Sequence, residues 1–227
     1  MAGEKNTSKQ ADNKRRGLIN GFIHFLFTAV ATFIGSLLFS ILIEWMGIYF
    51  EWWPLTGYHH AKTSLETELG WLNDDFKTAM FSPIHIAQLF LEFSYQWVIH
   101  YLGIEWLIKQ MQHSVIYDYI LAMAYEIELN AVRLAVIVLS LPALVLFGLY
   151  FLIDGLTERD LRTWGLGRET SFVYHHAKNW IAPLLYTPIA MYLSSPWSVH
   201  PSIFILAFAM PFGYSVWLVS MYFKKYI

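Results

Sequence analysis

Long charge-free runs separated by short polar blocks set the frame of the chain. Residues 1–16 are polar and carry Lys5, Lys9, Lys14, Arg15 and Arg16, with few apolar side chains to pack, which predicts a mobile tail. Residues 17–43 then contain no Asp, Glu, Lys or Arg. About 20 apolar residues cross a bilayer core, so this run is a first span. It is too long for a signal-peptide core, and the EWMGIYF that follows offers no small-residue cleavage site. Leu134–Ile153, LAVIVLSLPALVLFGLYFLI, is a second charge-free run. Residues 180–196, with Pro183 and Pro188, and residues 203–223, closed by Lys224 and Lys225, are a third and fourth. Pro142, Pro188 and Pro211 each remove a helix hydrogen bond and predict kinks.

Between the first two spans the pattern changes. Leu65, Leu69, Leu72 and Phe76 recur at helical spacing among polar neighbours, which predicts an amphipathic helix over 58–80. Ser82-Pro83 reads as an N-cap and first helical residue. Residues 84–107 are apolar on nearly every side, with Glu92 and Glu105 the only acids, and fit a span, an interfacial helix or a helix buried outside the membrane. Residues 115–133 continue into the second span. A helix over 115–153 would be roughly 58 Å long, so its first turns should project beyond a core of about 30 Å.

Composition agrees with this frame. Hydrophobic residues make up 56% and charged residues 14%, too few charges to clothe a water-facing surface. Aromatics reach 18%, as suits rings placed at bilayer interfaces. The absence of cysteine excludes disulfides, thiolate metal sites and a Cys nucleophile.

The placement of charge predicts orientation. Residues 154–178 add Arg159, Arg162, Arg168 and Lys178 to the basic N-terminus, whereas 44–130 holds Lys62, Lys77 and Lys109 against eleven acids. An excess of Lys and Arg marks the cytoplasmic side. The expected architecture is an all-α integral membrane protein of about four transmembrane helices, with a helical periplasmic segment, 44–130, between spans 1 and 2. The tail 1–16, the loop 154–178 and the terminus 224–227 lie on the cytoplasmic side.

Candidate chemistry is sparse. Asp154-Gly155, Glu158-Arg159 and Gly167 imitate the start of a CDP-alcohol phosphotransferase signature, but the later metal-binding carboxylates are replaced by Ser171 and His175. Gly165-Leu166-Gly167-Arg168 is a weak phosphate signal and a better turn. His59, His60, His175 and His176 fall on opposite sides of the membrane in this topology and read as interfacial rings. Arg133, at the edge of the second span, reads as a snorkelling side chain. No catalytic, cofactor-binding or metal-binding residue is expected.

Two contact surfaces remain. Asp154, Arg159, Asp160, Arg162, Arg168, Glu169 and Tyr174 mix arginine, acids and an aromatic, as interface cores do. Gly17 and Gly21, Ala31 and Gly35, and Ser36 and Ser40 are small residues four apart, which lets helices approach closely. These pairs would serve a homo-oligomer or a partner helix.

Four stretches, IGSLLFSILIEWMGIYF at 34–50 with GYHHAKTSLETELGWL at 57–72, DGLTERDLRTWGLGRETSFVYHHAK at 154–178, SVHP at 198–201 and FKKYI at 223–227, together carry a resemblance. The chain resembles the membrane protein family encoded in the transfer gene clusters of bacterial integrating conjugative elements. The resemblance implies an accessory role in conjugation in the inner membrane, near a type IV secretion apparatus and its coupling-protein ATPase. No catalytic residue comes with it, and no direct nucleic-acid contact. An exclusion or regulatory protein acting through 44–130 is the neighbouring alternative. A membrane enzyme acting on a lipid-phosphate substrate is the distant one.

Overall fold

The computed structural model describes residues 2–75, 83–112, 114–164 and 171–223. The described residues form seven α-helices: α1 (Ala2–Tyr49), α2 (His59–Asp75), α3 (Pro83–Ser94), α4 (Ile104–Gln110), α5 (Ile116–Trp164), α6 (Ser171–Leu193) and α7 (Pro201–Met221). A π-helical turn, Tyr95–His100, carries α3 towards α4. Among the described residues there is no strand.

Three helices are long and apolar enough to cross a membrane, over Ile23–Tyr49, Ile116–Arg162 and Pro201–Met221. α6, where the sequence predicts a further span, is helical throughout but carries both Pro183 and Pro188. α1 is helical from Ala2, where the sequence reading has a mobile tail. The apolar stretch 84–107 is not one helix. It widens into the π turn and ends at Gly103, whose φ of 73° places it in the left-handed region open to glycine.

α5 organises the molecule. Its 49 residues amount to about 74 Å of helix. α1 runs antiparallel to its first half: the Trp45 indole donates to the Tyr119 carbonyl at 2.9 Å, and Ile41 packs in one cluster with Ile120 and Ala124. α2 and α3 pack on the same half from other sides, bringing Leu72 and Ala87 against Ala135 and Val136. α7 runs parallel to the second half. Gly148 faces Phe212, and Gly155 faces Trp217 and Ser220 so closely that a Cβ there would meet the Trp217 carbonyl at 2.7 Å. Tyr192 of α6 stacks on Phe204 of α7, with ring centroids 4.2 Å apart.

The described residues of the block 154–178 are thus helical, where the sequence reading has a loop. α5 continues to Trp164 and α6 resumes at Ser171. The Gly165–Arg168 turn lies outside the described residues, as do Ser82 and Lys77.

Candidate functional site

The densest polar chemistry lies where α1, α2 and α5 meet the α6–α7 connection. Glu126, Asn130 and Arg133 follow one another at spacings of four and three, which lines them along one face of α5. All three are buried. Glu68 sits on the apolar face of α2 between Leu65 and Leu72, so packing α2 onto α5 buries its carboxylate too.

Arg133 and Glu68 meet as a two-pronged ion pair. Arg133 Nη2 donates to Glu68 Oε1 at 2.7 Å, and Nε lies 3.1 Å from both carboxylate oxygens. Nη1 donates to the carbonyls of Ser195 and Leu193 at 2.7 and 3.3 Å, and Nη2 also reaches the Trp197 carbonyl at 3.3 Å. A guanidinium offers five N–H donors, and this arrangement gives every one an acceptor. The guanidinium also lies 5.6 Å from the centre of the Tyr192 ring. Burial pushes the Glu68 carboxyl above its ordinary value, while the charge and hydrogen bonds of Arg133 oppose that rise.

The snorkelling reading of Arg133 is therefore wrong. Its relative exposure is 0%. An arginine reaches for water only when nothing nearer accepts its protons, and here one carboxylate and three carbonyls do.

A second polar group adjoins the first. Ser40 of α1 hydrogen-bonds to Glu126. Glu44, one turn further along α1, lies 2.9 Å from Nδ1 of His60. The His60 ring stacks on Trp53 at a centroid distance of 4.1 Å. Asn130 donates to the backbone carbonyl of Glu126 at 3.1 Å. The Asn130 side-chain oxygen, the Trp53 ring nitrogen and the Tyr192 hydroxyl are buried without a hydrogen-bond partner among the described residues. No group of three His, Cys, Asp or Glu placed to hold a metal occurs among those residues.

The predicted contact residues are dispersed. Asp154 is exposed on α5. Arg159 pairs with its neighbour Asp160 at 2.8 Å. Arg162 lies 4.4 Å from the centre of the Tyr222 ring. Arg168 and Glu169 fall outside the described residues, and of Tyr174 only its backbone place on α6 is described. Ser36 and Ser40 are buried. Gly17 lies on α1, Ala31 is exposed, and a Cβ built on Gly21 or Gly35 would meet nothing within 4 Å. The small-residue pairs thus occupy two faces of α1, one turned into the chain and one open.

Glu68, Glu44 and Glu126 are buried partners that the sequence reading passed over, while Arg133 and His60 are read there as a snorkelling arginine and an interfacial ring. Their signal was present: a glutamate on the apolar stripe of α2, and three polar residues on one face of an otherwise apolar helix.

Against this geometry stands one match to known proteins. Residues 52–224 match the family described as IncC plasmid conjugative DNA transfer protein DtrJ-like. The chain belongs to this family. Its role is thereby in conjugative DNA transfer, the setting that the resemblance of the four stretches implied. The DtrJ-like description names a plasmid rather than an integrating element. The matched residues contain both halves of the Glu68–Arg133 pair and the whole of α2 to α7. No curated protein and no solved structure matches the chain.

Proposed function

We propose that this protein is a non-catalytic accessory component of the conjugation apparatus in the bacterial inner membrane, acting by contact with the coupling-protein ATPase. Membership of the DtrJ-like family carries the reading. The use made of buried charge supports it: Arg133 and Glu68 spend their hydrogen-bonding capacity on three segments of this chain, as structural groups do. In this reading α1, α5, α6 and α7 cross the bilayer and both termini are cytoplasmic. The helical layer of α2, α3 and α4 stands on the periplasmic side. The contact lies at the basic tip formed by the end of α5 and the start of α6, on the side where a motor domain would stand.

A tagged pull-down from mild detergent, with transfer frequency measured in parallel, tests the contact. Truncating one member of a buried charge pair at an interface commonly costs about 2–5 kcal/mol. Arg162→Ala or Arg168→Ala should therefore weaken recovery of the ATPase more than tenfold, while Lys5→Ala and Lys9→Ala change little. The open Gly35 face offers a clean contrast, since Gly35→Leu meets nothing within this chain near the Cβ position. Loss of the ATPase with Gly35→Leu, and not with the arginine variants, would move the contact into the membrane.

One observation favours an exclusion or regulatory role as a second reading. Leu89, Phe93, Trp97 and Tyr101 form an exposed stripe along α3 and the π turn. A partner cell's machinery would meet that surface first in this topology.

A further inference from the structure

An open cleft of ≈ 440 Å³ lies between α1 and the α6–α7 connection. Phe39 and Ile43 form its α1 side, and Met191, Val199, Phe204 and Phe208 most of the rest. No Asp, Glu, Lys, Arg or His lines it. Ser194 and Ser195 do, but the Ser194 hydroxyl donates to the Ala190 carbonyl at 2.7 Å, and the Ser195 hydroxyl donates to the Trp197 carbonyl at 2.9 Å. The serine hydroxyls at the rim are therefore engaged by the backbone, and apart from the buried Tyr192 hydroxyl the cleft offers hydrocarbon a largely hydrocarbon wall.

We propose that this cleft binds one acyl chain of a bilayer phospholipid, which enters beside the Ser194–Trp197 rim. The proposal rests on the membrane placement of α1 and α7 given above. Three observations select this occupant. First, the volume falls in the range of roughly 300–1,000 Å³ typical of small-molecule sites. A helix about 10 Å across would exhaust it in about one turn, so it suits a single chain better than a partner helix. Second, the helices on either side turn large apolar side chains outwards: Leu38 and Leu42 on α1, Ile203 and Leu206 on α7. The cleft opens where lipid tails would already stand. Third, Trp197 is 68% exposed at the rim, and tryptophan is enriched at the headgroup level of membrane proteins.

The position gives the lipid a task. Ser195 and Trp197 line the rim, and their carbonyls also accept from Arg133. An acyl chain below them supports the connection that the arginine holds from inside, and fills the gap between α1 and the α6–α7 pair.

The test uses the full chain in vesicles of phosphatidylethanolamine and phosphatidylglycerol, doped with a phospholipid bearing a diazirine on one acyl chain. Crosslinked residues are mapped by mass spectrometry. Labelling at Phe39, Ile43 and Val199 should exceed labelling at Leu146, an exposed apolar residue of α5, by at least fivefold. Met191→Trp narrows the cleft from its exposed margin, and Val199→Trp fills it from within. Either should lower cleft labelling at least fivefold and leave Leu146 labelling unchanged. If one variant fails to accumulate, the other decides. Cleft labelling equal to that at Leu146, or unaltered by the tryptophans, overturns the proposal. A photoreactive amino acid placed at Ile43 that joins a second copy of the chain and not lipid overturns it equally. If the chain proves not to reside in membranes at all, the placement fails first and is separately recognised by its recovery in the soluble fraction.

Discussion

At the scale of single residues, the molecule turns on Arg133. Removing one partner of a buried ion pair typically costs about 3–5 kcal/mol, because the other charge is left without compensation. Arg133→Ala also frees the carbonyls of Leu193, Ser195 and Trp197, so its cost should lie at the upper end of that range. Glu68→Ala should be severe as well. The double variant should cost much less than the sum of the two, since each deletion strands the charge that the other removes. Apparent melting temperatures in mild detergent measure this, and simple additivity would show that the pair does not act as a unit. The sequence exposed half of this story. A charge at the margin of an apolar run is visible in one dimension. Its partner, 65 residues away on another helix, is not. A snorkelling arginine and a clamped one have the same local sequence, and only the docking of α2 separates them.

Among the elements, the seam between α5 and α7 depends on glycine for close approach and not for backbone freedom. A Cβ on Gly155 would lie 2.7 Å from the Trp217 carbonyl and 2.8 Å from the Ser220 Cβ. Backbone cannot swing aside as a side-chain end can, and overpacking of this kind costs about 1–3 kcal/mol. Gly155→Ala should therefore lower the melting temperature, whereas Gly35→Ala, which meets nothing, should lower it little or not at all. Equal effects would mean that the seam is looser than described. The helices themselves were legible, because charge-free runs and 3.6-residue spacing are local properties. One helix over 115–153 is expected from the sequence, since no Gly or Pro interrupts the approach to the span, but its continuation to Trp164 falls where the sequence reading has a loop. The π turn was not, because nothing in the apolar stretch 84–107 distinguishes a widened turn from a regular one. The contact surfaces proposed from small residues divide between a buried face and an open one, which spacing alone cannot assign.

For the whole molecule, orientation is the property most open to direct test. With no native cysteine, single cysteines report without background. Cysteines placed near Lys62, Lys77 and Ser198 should react with an impermeant maleimide in intact spheroplasts. Those near Glu4, Thr163 and Tyr226 should react only after permeabilisation. External reaction at Thr163 would reverse the second half of the topology and place the basic tip away from any cytoplasmic motor. The long apolar helices were readable from the charge-free runs, and the conjugative setting from four stretches of sequence. The arrangement of helices around α5 was not, because it depends on contacts between segments far apart in the chain.

The clamp on Arg133 also imposes an order of assembly. Its carbonyl partners begin 60 residues downstream, on a part of the chain that does not exist when Arg133 itself is added. At about 5–20 residues per second, the guanidinium must wait roughly 3–12 s with Glu68 as its sole partner among those it finally holds. Until then α1 to α5 can pack together, with unfilled Arg133 donors facing the place that the α6–α7 connection will take. Chains released before Leu193 would keep those donors empty, and a quality-control protease would find them in that state.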